Sequence, residues 1–412
     1  MASPAEADPK GNNLMTTTPR RRTAAAIASL AALAAIASGC AAGTSSSGAD
    51  SSSPAGAGER LTVSLAGSVV VLDAATLDPV AEFDSEEFTR VNPVGDGRNV
   101  LVTTSAGFQV LDAVEPELTD TVFAADAAGH VVRHGGRTVL FADGTGTTTV
   151  FPTDALIDSD GALPETTTRD AEEPHHGVSI VLDDGTLVTT VGDDTSRSGA
   201  VALAPHDDHY HEHASSDQCP GIHGEGTALG EAVVFGCENG ALLYSGGEFT
   251  KLDAPDEFGR MGNAFVSETS PIVVGDYKND PDAEGYELHS VALIDTANAS
   301  YRVQELDGIA FTWRGVVRGP NDDAYILGTD GAIHVLDPIT GDVTAEYPVI
   351  DAWEGPADWQ DEHPAMITDG TTAYVADVAN SRIVSVDLAT GDVIAEGAEL
   401  SGEPGEMALN IG

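Results

Sequence analysis

One phrase recurs along this 412-residue chain: a short segment often opened by histidine, then a turn, then a β-rich run. It reads His176-Gly177-Val178-Ser179-Ile180 before Asp183-Asp184-Gly185 and Leu187-Val188-Thr189. It returns as His223-Gly224-Glu225-Gly226 before Leu229-Gly230-Glu231 and Val233-Val234-Phe235, and as His363-Pro364-Ala365-Met366 before Asp369-Gly370 and Ala373-Tyr374-Val375. A repeat of roughly forty-odd residues with about four short strands per unit is the pattern of an all-β propeller. The first strand of each blade lines the central channel, so equivalent histidines on several such strands converge on one axis.

Runs rich in β-formers and cut by Gly, Asp and Asn divide the chain into units. Later units begin at Arg90, His130, His175-His176, His223 and His363, and two further units include Ile272-Val273-Val274 and Tyr325-Ile326-Leu327. The first unit lacks an innermost strand, because Leu61 to Leu65 already reads as a second strand. The segment Gly405 to Ile411 reads as a first strand with nothing after it, so pairing the two ends closes the ring and removes an open edge. That predicts eight blades; seven is the alternative, since units three and four have poor outer strands.

Residues 1–39 read as an export signal. Arg20-Arg21-Arg22 is a basic head, Ala24 to Ser38 is an apolar stretch short for a bilayer span, and Ala37-Ser38-Gly39-Cys40 resembles a bacterial lipoprotein cleavage box. Met15 is an alternative start, and an ordinary cleaved signal containing a cysteine is the alternative to lipidation at Cys40. Residues 40–59 form a Ser/Gly/Ala-rich tether that cannot bury a core, leaving 60–412 for the propeller. The expected location is the outer face of the cell membrane, held by a lipid anchor. A net charge of -49 argues against nucleic acid as a partner, because phosphates need Lys and Arg.

Aligned units place Arg90, His130, His176, His223, a residue near Asn263, Trp313 and His363 at channel-facing positions. Neutral imidazole is a zinc ligand, so His130, His176, His223 and His363 form the candidate metal set, with Glu225 or His175 to complete it. His206-Asp207-Asp208-His209-Tyr210-His211-Glu212-His213, within 205–217, is expected to be a flexible loop whose His206, His209, His211 and His213 bind metal more weakly. Cys219 and Cys237 flank two strands around the turn near Gly230. In an exported chain this even pair reads as a disulfide. No Gly-x-Ser-x-Gly elbow, P-loop or dinucleotide fingerprint marks a catalytic set.

Cys219-Pro220-Gly221-Ile222-His223-Gly224-Glu225, Phe235-Gly236-Cys237-Glu238, Glu362-His363-Pro364-Ala365-Met366 and the acidic His-rich tract together resemble the AztD family of zinc metallochaperones. The resemblance covers most of Leu61 to Gly412. It implies an exported propeller, not an enzyme, that takes zinc as its cargo and hands it to the substrate-binding protein of a zinc ABC transporter. It matches His223 and His363 best, then His176, then His130. The His-rich tract lies mid-chain here instead of near the N-terminus, and a lipid anchor replaces a freely diffusing form. A lactonase-like metal-dependent hydrolase and an interaction scaffold are the other two classes that fit such a propeller.

Overall fold

The computed structural model describes residues 58–410 apart from positions 158, 160, 207, 208, 284 and 359. The signal at 1–39, the lipidation site Cys40 and nearly all of the tether at 40–59 lie outside the described residues.

Eight antiparallel four-stranded sheets follow one another along the chain, and blade 5 also pairs with a short parallel strand, Gly259–Arg260. The blade count is therefore eight. Second strands such as Asn99–Thr104 and Ala232–Cys237 are buried almost throughout and read as continuous apolar runs. Outer strands such as Pro79–Asp84 and Val343–Pro348 alternate half-buried and exposed residues, as expected of a strand with one face in water. Asp73, Asp112, Asp337 and Asp387 each stand at or just past the end of a third strand. Their Oδ1 atoms accept two backbone N–H groups of the following turn, so part of the chain's acidity is turn chemistry.

The two ends of the described chain close the ring. Blade 1 takes its innermost strand, Met407–Leu409, from the C-terminal end; it pairs Leu61 with Leu409, Thr62 with Ala408 and Val63 with Met407. Asn410 adds a latch: its Oδ1 accepts the Arg60 N–H at 2.7 Å, and its Nδ2 donates to Gly97 O in blade 2. The apolar core is distributed between blades. One cluster joins blade 8 to blade 1 and another joins blades 1 and 2, with further clusters around the ring.

Cys219 and Cys237 are bridged with their Cα atoms 4.9 Å apart, and both are fully buried. The bond ties the approach to the innermost strand of blade 5, His223–Ala228, to the end of the next strand. Replacing both cysteines by serine is expected to lower unfolding free energy by about 2–4 kcal/mol, the usual effect of opening a loop of this size. Urea denaturation checks this, and an unchanged midpoint refutes it.

Candidate metal centre

The innermost strands of blades 3, 4 and 5 are Ala128–His134, Ser179–Val181 and His223–Ala228. His130 and His223 sit where the pairing to the next strand slips by a residue, and such bulges re-aim a side chain. His176 comes just before its strand. Glycines permit the close approach. A Cβ on Gly129 would meet Asp143 Oδ1 at 2.3 Å, and one on Gly224, at φ +57°, would meet Gly262 O at 2.2 Å.

Together these features bring three imidazoles face to face. The ring centroids of His130, His176 and His223 are 4.9, 5.4 and 5.1 Å apart, and one nitrogen from each ring lies within 4.8 Å of one from each of the others. Each Nδ1 is occupied by an oxygen. His130 Nδ1 donates to Gly177 O at 2.9 Å, His223 Nδ1 to Gly262 O at 2.6 Å, and His176 Nδ1 pairs with Asp143 Oδ2 at 2.5 Å. A carbonyl only accepts, which assigns the Nδ1–H tautomer to His130 and His223 and leaves their Nε2 lone pairs for a cation. His176 Nε2 and His223 Nε2 are 3.1 Å apart, close to the roughly 3.3 Å edge of a tetrahedron with zinc–nitrogen bonds near 2.0–2.1 Å.

Burial, reinforced by neighbouring imidazoles and Arg90, drives the His130 pKa well below its usual value. Burial pulls His223 down to about 3. Both rings are therefore neutral, the form that ligates metal. His176 is the open member, with 44% of its side chain exposed. The trio borders a cavity of about 900 Å³ that also takes in Arg90, Asn263 and Trp313, the channel positions expected from the repeat.

His363 departs from that expectation. The innermost strand of blade 8, Met366–Thr368, starts three residues later, and Ala365 and Met366 line the cavity instead. The His363 ring is 2% exposed, stacks at 6.2 Å on Trp353 and bonds Asp361 O through Nδ1. Where His176 and His223 are followed by glycine, His363 is followed by Pro364, which cannot donate to a ladder. His363 Nε2 is buried without a partner, whereas His175 is committed at both nitrogens, with Nδ1 on Glu173 O and Nε2 on Thr190 Oγ1. Glu225 lines the cavity but is not one of the clustered donors; burial raises its pKa to about 7.

The His-rich tract is a β-hairpin, where the sequence suggested a flexible loop. Strands Arg197–His206 and His209–Ser216 form the outer edge of blade 4, pairing His206 with position 209 and Ala204 with His211. The His206 and His211 rings share a face, 5.8 Å apart, while His213 falls at a bulge.

A further donor set went unnoticed in the sequence. His134 Nε2 lies 2.9 Å from Glu231 Oε1, which also accepts the Asp183 N–H at 2.7 Å, and one oxygen of the Asp183 carboxylate falls within 4.8 Å of both partners' ligand atoms. These three residues lie at the far ends of the innermost strands of blades 3, 4 and 5, around the hairpin turns. The signal was present: each trio histidine has a ligand-type residue downstream, at the turn that ends its own strand.

No protein-family model matches the chain. The zinc chaperone AztD of Citrobacter koseri is 22% identical over 355 residues, covering 80% of this chain and 82% of that protein. The solved structure of apo AztD from Citrobacter koseri superposes with a TM-score of 0.68 at 20% identity, over 85% of this chain and 97% of the other. Dihydro-heme d1 dehydrogenase NirN in complex with DHE reaches 0.57 at 14% identity, over 84% and 74%. Along four-fifths of its length the chain is thus similar in sequence to a zinc chaperone, and it shares that protein's propeller fold.

Proposed function

We propose that this protein is an exported zinc chaperone. It holds Zn²⁺ between His130, His176 and His223 and passes it to the substrate-binding protein of a zinc ABC transporter. The observation that carries this reading is the geometry of the three imidazoles. Each is fixed through Nδ1 to an oxygen, and they aim at a common point at the cavity wall. The name of the Citrobacter koseri relative supports the choice of zinc and of a carrier role. The basic head, apolar stretch and Cys40 support export and a lipid anchor, which would keep the carrier beside the transporter.

Transfer would proceed by ligand exchange. Zinc favours four donors, and three imidazoles leave one position for an incoming group. His176 is the most solvent-accessible donor and is the one an acceptor would displace first, whereas His130 and His223 are held deeper. The hairpin histidines His206, His209, His211 and His213 would gather zinc weakly at the rim. The set His134, Asp183 and Glu231 offers mixed nitrogen and oxygen donors for a second ion at the far strand ends.

Chelator competition is expected to show that His130→Ala or His223→Ala weakens tight zinc binding by at least ten- to a hundredfold, since changes in mere outer-shell groups already do that. His176→Ala should slow delivery in addition, measured by mixing loaded donor with metal-free acceptor, separating them and assaying metal in each. His363→Ala should lower stability and leave zinc affinity unchanged. Tight binding with no delivery, alongside turnover of a lactone or ester, would move the assignment to the hydrolase, whose open zinc position would face the cavity.

Removing His206, His209, His211 and His213 together should delete the weak zinc class alone. Survival of both classes would exclude the hairpin as a ligand set.

The depressed pKa values set the acid limit. Protons compete for His130 and His223 only as pH falls towards their lowered values, not at the ordinary value of about 6.5. Dialysis at pH 5.5 against chelator-free buffer should therefore leave the tight ion bound; its complete loss there would contradict the buried-ligand account.

A further inference from the structure

The chain carries 67 acidic and 18 basic residues, yet the cavity beside the three histidines reverses that balance. Arg90, Arg197, Arg260, Lys278 and Arg314 line it, against Glu225, Asp276, Glu287 and Glu406. Most of those carboxylates are already engaged. Glu406 takes Arg90 Nε on both oxygens, at 2.9 and 3.1 Å, and lies 3.6 Å from Arg314. Asp276 accepts three N–H groups, from Gly262, Asn263 and the Asn263 side chain. Glu287 accepts the Gly355 N–H.

Arg197 and Arg260 are left over. Neither forms an ion pair among the described residues. The Arg197 guanidinium donates no hydrogen bond there, and its Nη1 is buried without a partner. Arg260 Nη1 reaches only Gly221 O, at a long 3.4 Å. The two guanidiniums press on each other, and both press on His223; Glu238 and Asp143 act on Arg197 only from a distance. Asp143 is in any case held by His176 Nδ1 and the Gly177 N–H. Unpaired, partly desolvated cations are costly, and these two line the same cavity as the three imidazoles that would hold a dication.

We propose that Arg197 and Arg260 form a carboxylate-binding subsite, whose anion completes the shell of the metal held by His130, His176 and His223. This deepens the zinc reading and rests on it. Guanidiniums match carboxylate geometry, and an anion between them and the metal offsets repulsion on both sides. The carboxylate comes either from a small solute or from a side chain of the acceptor that reaches into the cavity during transfer. Binding of the two ligands is reciprocal: whatever factor the anion adds to zinc affinity, zinc adds to anion affinity.

The test begins with metal-free protein and needs no variant. Acetate should protect Arg197 and Arg260, but not Arg382, which lies outside the cavity and is ion-paired to Asp377 and Glu396, from phenylglyoxal, with labelling read by mass spectrometry. Acetate should then raise zinc affinity by about tenfold or more, the size of effect that outer-shell groups exert on metal sites. Chelator competition would be corrected for zinc–acetate complexation in solution. In Arg197→Met/Arg260→Met that enhancement should vanish, while zinc binding without acetate stays equal or tightens because two cations are gone. Arg260→Met alone serves if the double variant misfolds. A merely structural pair of arginines would give weaker zinc binding in both conditions, which overturns the proposal. So do unprotected arginines with zinc affinity indifferent to acetate, an outcome that leaves the zinc reading standing. Absence of tight zinc binding by the unaltered protein overturns the zinc reading itself. Saturating acetate identifies the source: it slows delivery if the acceptor's carboxylate uses the subsite, and leaves delivery unchanged if the ligand is a small solute.

Discussion

Three backbone pairs between Leu61–Val63 and Met407–Leu409 hold the ring closed, and the geometry of the channel depends on them. A single blade cannot bury both faces, so the apolar clusters lie between blades and each sheet is positioned by its neighbours. Opening the ring would leave blade 1 without its innermost strand and the edge of Arg60–Leu65 unpaired. It would also remove Glu406, which comes with that strand and neutralises Arg90 across the cavity. Closure is what turns eight weakly similar repeats into one rigid set of strand starts, and a set of strand starts is what a shared ligand site requires.

Rigidity at those starts has an electrostatic consequence. Two imidazole nitrogens 3.1 Å apart repel when both carry lone pairs, and they remain together because Gly262 O and Asp143 hold the opposite side of each ring. The backbone carbonyls that accept from His130 and His223 belong to the next blade in each case, Gly177 in blade 4 and Gly262 on the way into blade 6. Each ligand is thus aimed by the neighbour of the strand that carries it, so inter-blade packing and donor geometry are one and the same constraint. Neutrality of the His130 and His223 rings follows from the same burial.

The blade count, the strand that crosses from one end of the chain to the other and the pairing of Cys219 with Cys237 were legible because each has a local signature: turn residues, apolar runs, an even number of cysteines. His176 and His223 were legible because they recur in the same phrase, and His130 because aligned units put it at the same position. His363 shares the phrase, but Pro364 follows it where Gly177 and Gly224 follow the other two, and its ring lies buried against Trp353. The His-rich tract reads as a loop because its polar composition hides the alternation of a hairpin edge, in which Tyr210 and Ala214 pack half-buried against the core. His134, Asp183 and Glu231 escaped notice for a different reason. Each occupies what reads as ordinary turn punctuation, and only the convergence of three neighbouring turns makes them a donor set.

Charge separates the outside of this molecule from its channel. A net charge of -49 draws divalent cations towards the surface from any direction, and that attraction does not discriminate between a place to load and a place to linger. Inside, Arg197 and Arg260 share the cavity with the three histidines and form no ion pair among the described residues. If the histidines hold zinc as proposed, these arginines would make retention conditional on an anion, and the exposed His176 and the anion's position would be the two places where an acceptor could intervene. Uptake would then be governed by the long-range field of the surface and release by the short-range balance of the cavity, which would let one binding site be both attractive and yielding.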